Sequence, residues 1–343
     1  YKRQMVIGET SRAANWSIYG YNRNTNPELT KIKGLTAFSH VLTESNTTHK
    51  SVPMLMSSVT AHDFNSIYRQ KGIITAFKEA GYRTAFFSNQ RYNHSFIDFF
   101  GKEADICDFI KEDTGDGSYN PSDDELLKLV AAELAENASK QFIVLHTYGS
   151  HFNYRERYPA DNAFFLPDFP VDAELKYKDN LINAYDNSIR YTDNFLARLI
   201  RMLQEQDIDT AMLYTSDHGE DIFDDDRHLF LHASPVPSYY QIHVPFLVWM
   251  SDNYRKNYPD LFKNAEINRQ KNISSSASFF QTMLELGGID TPHRNDSLSV
   301  INASYTEKNR VYLNDHNEAR SLNDIGMREE DFTMLQMKGI VYR

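Results

Sequence analysis

The sequence predicts an α/β fold in which helices pack on a central, mostly parallel β-sheet. Short β-rich runs alternate with amphipathic helical stretches along the whole chain. Acidic and imidazole side chains recur just after those runs, where ligands bind in open α/β sheets. No internal repeat, low-complexity tract or break in composition divides residues 1–343, so a single domain is expected. At 343 residues and 41% hydrophobic content, the chain can bury a large core.

In chain order, the expected strands are MVIGE (5–9), AFSHVL (37–42), TAFFSN (84–89), FIVLH (142–146), AMLYTS (211–216) and PFLVWM (245–250). A helix is expected to begin near Thr48, with Pro53 in its first turns, where a missing N–H does least harm. GIITAFKEAG (72–81) repeats apolar residues at helical spacing and ends on glycine. Residues 122–137 open on a Ser122-x-x-Glu125 capping box. Further helices are expected over 175–206 and 275–288, and the closing FTMLQMKGIVYR reads as a hairpin at the sheet edge. The polar connection 147–174, rich in proline and aromatics, has the length of loops that carry function or form lids.

Composition removes several classes of function. With 47 acidic and 36 basic side chains the net charge is −11, which argues against a nucleic-acid backbone as the main partner but leaves room for a local anion site. No apolar stretch approaches the ~20 residues of a spanning helix. The single cysteine, Cys107, precludes an intrachain disulfide and a Cys-rich zinc site, and reads as a buried or half-buried thiol. The chain enters a strand-like segment almost at Tyr1, which suggests a domain excised from a longer protein.

Four strand ends carry the candidate chemistry. The first ends in Glu9, and the second runs into Ser45-Asn46-Thr47-Thr48. The FIVLH run leads to His151, and the AMLYTS run ends at Asp217-His218-Gly219-Glu220. The hydroxyl cluster at 45–48 admits two readings: a helix cap, or a nucleophile beside the unpaired amides of a helix start. Asp217 and His218 suit a zinc ion, with the glycine letting the chain turn; an aspartate capping the next helix beside a surface histidine is the competing reading. Asn89 and Arg91 follow a strand and could bind phosphate or an amine head group. His146, inside a β-run, reads as an interior histidine, and Asp224, Asp225 and Asp226 read as a solvated turn.

Five blocks now matter together: VIGETSRAANWSIYGYNRNTNP (6–27), SNTTHKSVPM (45–54), INAYDNSIRYTDNFL (182–196), LYTSDHGED (213–221) and LHASP (231–235). In this order and register they resemble the phosphoethanolamine transferases of Gram-negative bacteria, members of the sulfatase and alkaline phosphatase superfamily, whose fold is an α/β/α sandwich. The resemblance implies a principal zinc site of Glu9, Thr48, Asp217 and His218, with Thr48 rather than Thr47 as nucleophile. His151 and His232 fall on histidines that contact the substrate phosphate or hold a second zinc. The implied donor is phosphatidylethanolamine and the implied acceptor lipid A or another envelope glycan. Membrane helices preceding this domain would place it, as a monomer, at the periplasmic face of the inner membrane. Two departures stand out: positions of a disulfide known in relatives are occupied by Glu44 and Met54, and His49 beside Thr48 is not expected from the family and is a candidate substrate contact.

Overall fold

Unbroken apolar runs form strands here because helices cover the sheet on both faces. The computed structural model describes residues 1–111, 120–136, 138–170 and 172–342. Its strands are β1 (Lys2–Gly8), β2 (Leu35–Phe38), β3 (Val41–Leu42), β4 (Arg83–Ser88), β5 (Ile106–Phe109), β6 (Gln141–His146), β7 (Thr210–Ser216), β8 (Asp221–Ile222), β9 (Phe230–Leu231), β10 (Phe246–Met250), β11 (Ile273–Ser274), β12 (Val311–Leu313) and β13 (Ala319–Ser321). Seven of them form the central sheet, in the order β2-β10-β7-β1-β6-β4-β5. β7, β1, β6, β4 and β5 run parallel, whereas β10 is antiparallel to both β7 and β2.

The helices are α1 (Thr48–Met56), α2 (Ile73–Glu79), α3 (Phe96–Gly101), α4 (Asp124–Ala135), α5 (Lys178–Gln204), α6 (Tyr239–Ile242), α7 (Asp252–Asn257), α8 (Pro259–Asn268), α9 (Ser275–Gly287) and α10 (Glu329–Met337). Successive strand residues point to opposite faces. Met5, Ile7 and Val144 therefore pack against α1, α2, α3 and α9, while Val6, Leu145 and Tyr214 pack against α4 and α5. Phe77 of α2 stacks on Phe142 of β6 with centroids 3.7 Å apart, and truncating such a residue to alanine costs about 3–5 kcal/mol. Because the central strands β7, β1 and β6 are clamped from both sides, their carboxyl ends form a fixed platform.

Several expectations are corrected. AFSHVL divides into β2, in the main sheet, and β3, which pairs with β11, and β5 was not anticipated. The capping box does not form: Asp123 is the N-cap of α4, and Ser122 Oγ accepts from the Asp124 amide. The closing segment is the helix α10 rather than a hairpin, because Phe332 and Leu335 share one helical face and bury against α6. Asp224 is not in a solvated turn; its carboxylate pairs with Arg12 at 2.6 Å with both side chains nearly buried. Cys107 is half-buried. The expected helix end at Asn137, Val171 in the long connection and the terminal Arg343 lie outside the described residues. Among the described residues, no helix is long and apolar enough to cross a membrane.

Candidate active site

Glu9 follows β1 and Asp217 follows the adjacent, parallel β7, so the pairing of Gly8 with Ser216 sets their backbones side by side. The Asp217 amide donates to Gly8 O, and Asp217 Oδ1 accepts from the amides of Thr10 (3.1 Å) and His218 (2.7 Å). Gly219 permits the turn after His218, since a Cβ there would strike the carbonyl oxygen of Tyr240 and the Cβ of Arg12. Arg12 in turn holds the loop after β1 through Asn15 and Asp224.

These constraints bring Glu9, Asp217 and His218 together with one ligand atom of each within 4.8 Å of the others, all buried. His218 Nδ1 lies 2.9 Å from Gly219 O, a contact that places its proton on Nδ1 and leaves a lone pair on Nε2. That Nε2 stands 3.2 Å from Asp217 Oδ2 and 3.5 Å from Glu9 Oε1. Burial lowers the His218 pKa to about 3, assisted by neighbouring His232, and burial raises the Asp217 carboxyl to about 6. Asp217 Oδ2 is buried without a hydrogen-bond partner among the described residues. A borderline nitrogen, two carboxylates and an unsatisfied buried oxygen form a donor set that fits a zinc ion.

Thr48 is the first residue of α1. The N-cap is Thr47, whose side chain makes no capping bond, and Thr48 turns its hydroxyl to the triad. Its Oγ1 lies 3.2 and 3.3 Å from the two Glu9 oxygens and 3.0 Å from His218 Nε2. The preceding loop is tied down by Thr43, which donates to Asp217 O, and by Asn46, bonded to Gln241, Ser234 and Tyr312, and Ser51 of α1 donates to the same Asp217 oxygen.

The remaining candidates divide. His232 lies against His218 with ring centroids 4.2 Å apart, and His151 lies 6.1 Å from His232. Burial opposes protonation of His232, but Glu220 facing its Nδ1 at 3.6 Å, with Glu9 and Asp217, raises its pKa. His49 is exposed, on the first turn of α1. Asn89 does not face a ligand: it is buried, and its amide donates to Asp123 and Pro121 O. Arg91 is exposed and lines a cavity that also borders His151. His146 is interior, with Nδ1 3.3 Å from Ser88 Oγ.

Sequence reasoning passed over three residues. Gln90, between the two nominated residues, donates to Glu9 Oε2 at 3.1 Å. Thr10 donates to Glu9 Oε1 at 2.6 Å. Glu220, fully buried, backs His232. All three lie next to strand ends, so the rule that found Glu9 could have found them. Asp123 also belongs to this support. Its carboxylate accepts from the amides of Tyr148 and Gly149 and from Asn89, fixing the loop that carries His151.

A family model described as Sulfatase matches residues 5–289. The phosphoethanolamine transferase EptC of Escherichia coli is 26% identical over 317 residues, covering 89% of this chain and 54% of the relative. The Kdo(2)-lipid A phosphoethanolamine 7''-transferase of Escherichia coli is 32% identical over 281 residues, covering 78% of this chain and 47% of the relative. The chain thus spans about half the length of the curated relatives it matches. Among solved structures, the C-terminal periplasmic domain of Escherichia coli EptC in complex with zinc superposes with a TM-score of 0.85 at 24% identity, covering 95% of this chain and 93% of that one. The fold is the α/β/α sandwich that the motif blocks implied. Since the family match takes in β1, α1 and β7 and with them every residue of the buried triad, the chain belongs to the sulfatase family.

Proposed function

We propose that this chain is the catalytic part of a zinc-dependent phosphoethanolamine transferase working at the periplasmic face of a bacterial inner membrane. It moves phosphoethanolamine from phosphatidylethanolamine to lipid A or a related envelope glycan through an adduct on Thr48. The observation that carries this reading is the Thr48 hydroxyl, 3.0 Å from His218 Nε2 and within 3.3 Å of both Glu9 oxygens. Similarity to transferases of this activity supports it.

Glu9, Asp217 and His218 would hold the zinc ion, with the Thr48 oxygen facing it. When bound, the ion supplies positive charge that favours the deprotonated hydroxyl. Thr48 Oγ1 attacks the donor phosphorus, the bond from phosphorus to the diacylglycerol oxygen breaks, and that oxygen leaves with a proton. His232 and His151, on the open side of the triad, face the phosphate oxygens and the leaving group. In the second half-reaction an acceptor oxygen attacks phosphorus, gives up its proton, and releases Thr48. Gln90 and Thr10 hold Glu9 in place throughout.

Sulfatase chemistry is disfavoured within the same fold. It needs a cysteine or serine in a C/S-x-P-S-R segment, whereas this chain has Ser51-Val52-Pro53-Met54-Leu55 with the Ser51 hydroxyl bonded to Asp217 O at 2.6 Å. Intact-mass spectrometry after incubation with phosphatidylethanolamine vesicles tests the proposal. The parent gains one phosphoethanolamine, and Thr48→Ala gains none, with turnover lower by roughly a thousandfold or more. Parental turnover by Thr48→Ala would sink the mechanism.

A further inference from the structure

Beside the triad lies a cavity of about 390 Å³ bordered by Gln90, Arg91, Lys111, Tyr148, His151 and Arg157. Gln90 bonds Glu9 and His151 faces His232, so the cavity opens directly onto the transfer site. Its charge is opposite to that of the chain as a whole. Lys111 Nζ lies 3.4 Å from the centroid of the Tyr148 ring, and Arg157 Cζ lies 4.2 Å from the same centroid. The ring also stacks on His151 at 4.9 Å. Burial, then the charges of Arg157 and Arg91, push the Lys111 pKa down to about 8.

Among the described residues, little neutralises these cations. Among the described residues bordering the cavity, Glu156 is the one carboxylate; it pairs with Arg157 at 3.1 Å and is itself 55% exposed. The Asp123 carboxylate beneath is taken up by Asn89 and the amides of Tyr148 and Gly149. Lys111, 9% exposed, is bonded to the neutral Asn120 at 3.1 Å. Crowded, part-buried cations that outnumber the carboxylates of the described residues around them favour an anion between them. The donor head group fits poorly there, because phosphoethanolamine ends in an ammonium that these cations repel.

Resting on the transferase reading, we infer that this cavity is the acceptor subsite and that Arg91, Lys111 and Arg157 grip a phosphate carried by the acceptor saccharide. Tyr148 couples the subsite to the transfer site: its ring lies against two of the cations and stacks on the histidine beside the transferred phosphorus. The acceptor is thereby selected by charge before its oxygen reaches the adduct.

The two half-reactions separate the possibilities. Thr48 is loaded with phosphoethanolamine from phosphatidylethanolamine vesicles, freed of donor, and mixed with increasing lipid A, with and without inorganic pyrophosphate. Decay of the adduct is followed by intact mass in the parent, Lys111→Ala, Arg91→Ala and Arg91→Lys. The half-saturating lipid A concentration should rise roughly tenfold in each alanine variant and return most of the way in Arg91→Lys. Pyrophosphate should compete with lipid A in the parent and lose that effect in Lys111→Ala. Arg91 is exposed, so its variants keep the test valid where Lys111→Ala disturbs the fold. Unchanged acceptor dependence in both alanine variants would overturn the assignment alone, as would a loss in loading equal to the loss in transfer. A parent that never loads would overturn the transferase reading and this inference with it.

Discussion

The two charged regions at the carboxyl ends of the strands are built in opposite ways. The triad gathers two acids and a histidine in full burial, and main-chain geometry places them: Asp217 is held by two amides and His218 by a carbonyl. The cavity beside it gathers Arg91, Lys111 and Arg157 outside the sheet, the first exposed and the other two largely buried against an aromatic ring. Both concentrate charge that the described residues leave largely unmatched, which is unfavourable unless a ligand of opposite sign arrives. The difference lies in tolerance. A fixed scaffold suits an ion whose ligands must fall within tenths of an ångström, and long flexible cations suit a phosphate approached from several directions.

Three further experiments would break or sharpen that contrast. The largest effect is expected at the triad. Zinc added to chelated protein at about a hundred times its dissociation constant should stabilise the fold by about 2.7 kcal/mol, seen as a rise in melting temperature. Asp217→Asn should abolish that rise, and a rise of the same size in the variant would remove Asp217 from the ligand set. Next comes Gly149, at φ +50°, where a Cβ would approach Glu9 O to 2.7 Å and Glu9 N to 2.9 Å. Gly149→Ala should destabilise the protein by about 1–3 kcal/mol in chemical denaturation and weaken zinc binding, because the clash displaces the backbone of a ligand. Intact zinc affinity would show that the scaffold is more forgiving than the contrast requires.

The smallest effect tests burial of an acid away from both regions. Glu44 is 3% exposed, and burial raises its pKa to about 7, above the ordinary glutamate value, opposed by a 3.4 Å bond from the Ala61 amide. A raised folded pKa means that Glu44 takes up a proton on folding, so its contribution is complete below the unfolded value of about 4.3 and is lost as pH rises toward 7. Glu44→Gln stays neutral. Its melting temperature should match the parent's near pH 4 and exceed it by roughly 2–4 °C at pH 8. An equal pH dependence in the two proteins would refute the assignment.

Legibility in the sequence tracks the same divide. Glu9, Asp217 and His218 stood at the ends of apolar runs, where the parallel sheet fixes position by register, and short-range pattern found them. Asn89 and Arg91 were nominated by that same rule, yet it could not tell which of three successive residues turns inward. The structure places Gln90 on Glu9, Arg91 on the cavity and Asn89 in the interior. Lys111 and Arg157 were invisible, because their meeting at Tyr148 depends on two loops far apart in sequence. The final helix was misread because its apolar residues are few, and a two-residue alternation fits them nearly as well as a helical face.

Asp123 neither catalyses nor binds, yet its carboxylate sets a distance. Its two oxygens receive the amides of Tyr148 and Gly149, one residue leaning on the cations and the other pressed against Glu9. On the assignment inferred above it would work as a ruler, fixing the span between the triad and the cationic cavity. Redrawing the loop side chains at the far mark would then alter what the cavity accepts, while the near mark stays unaltered.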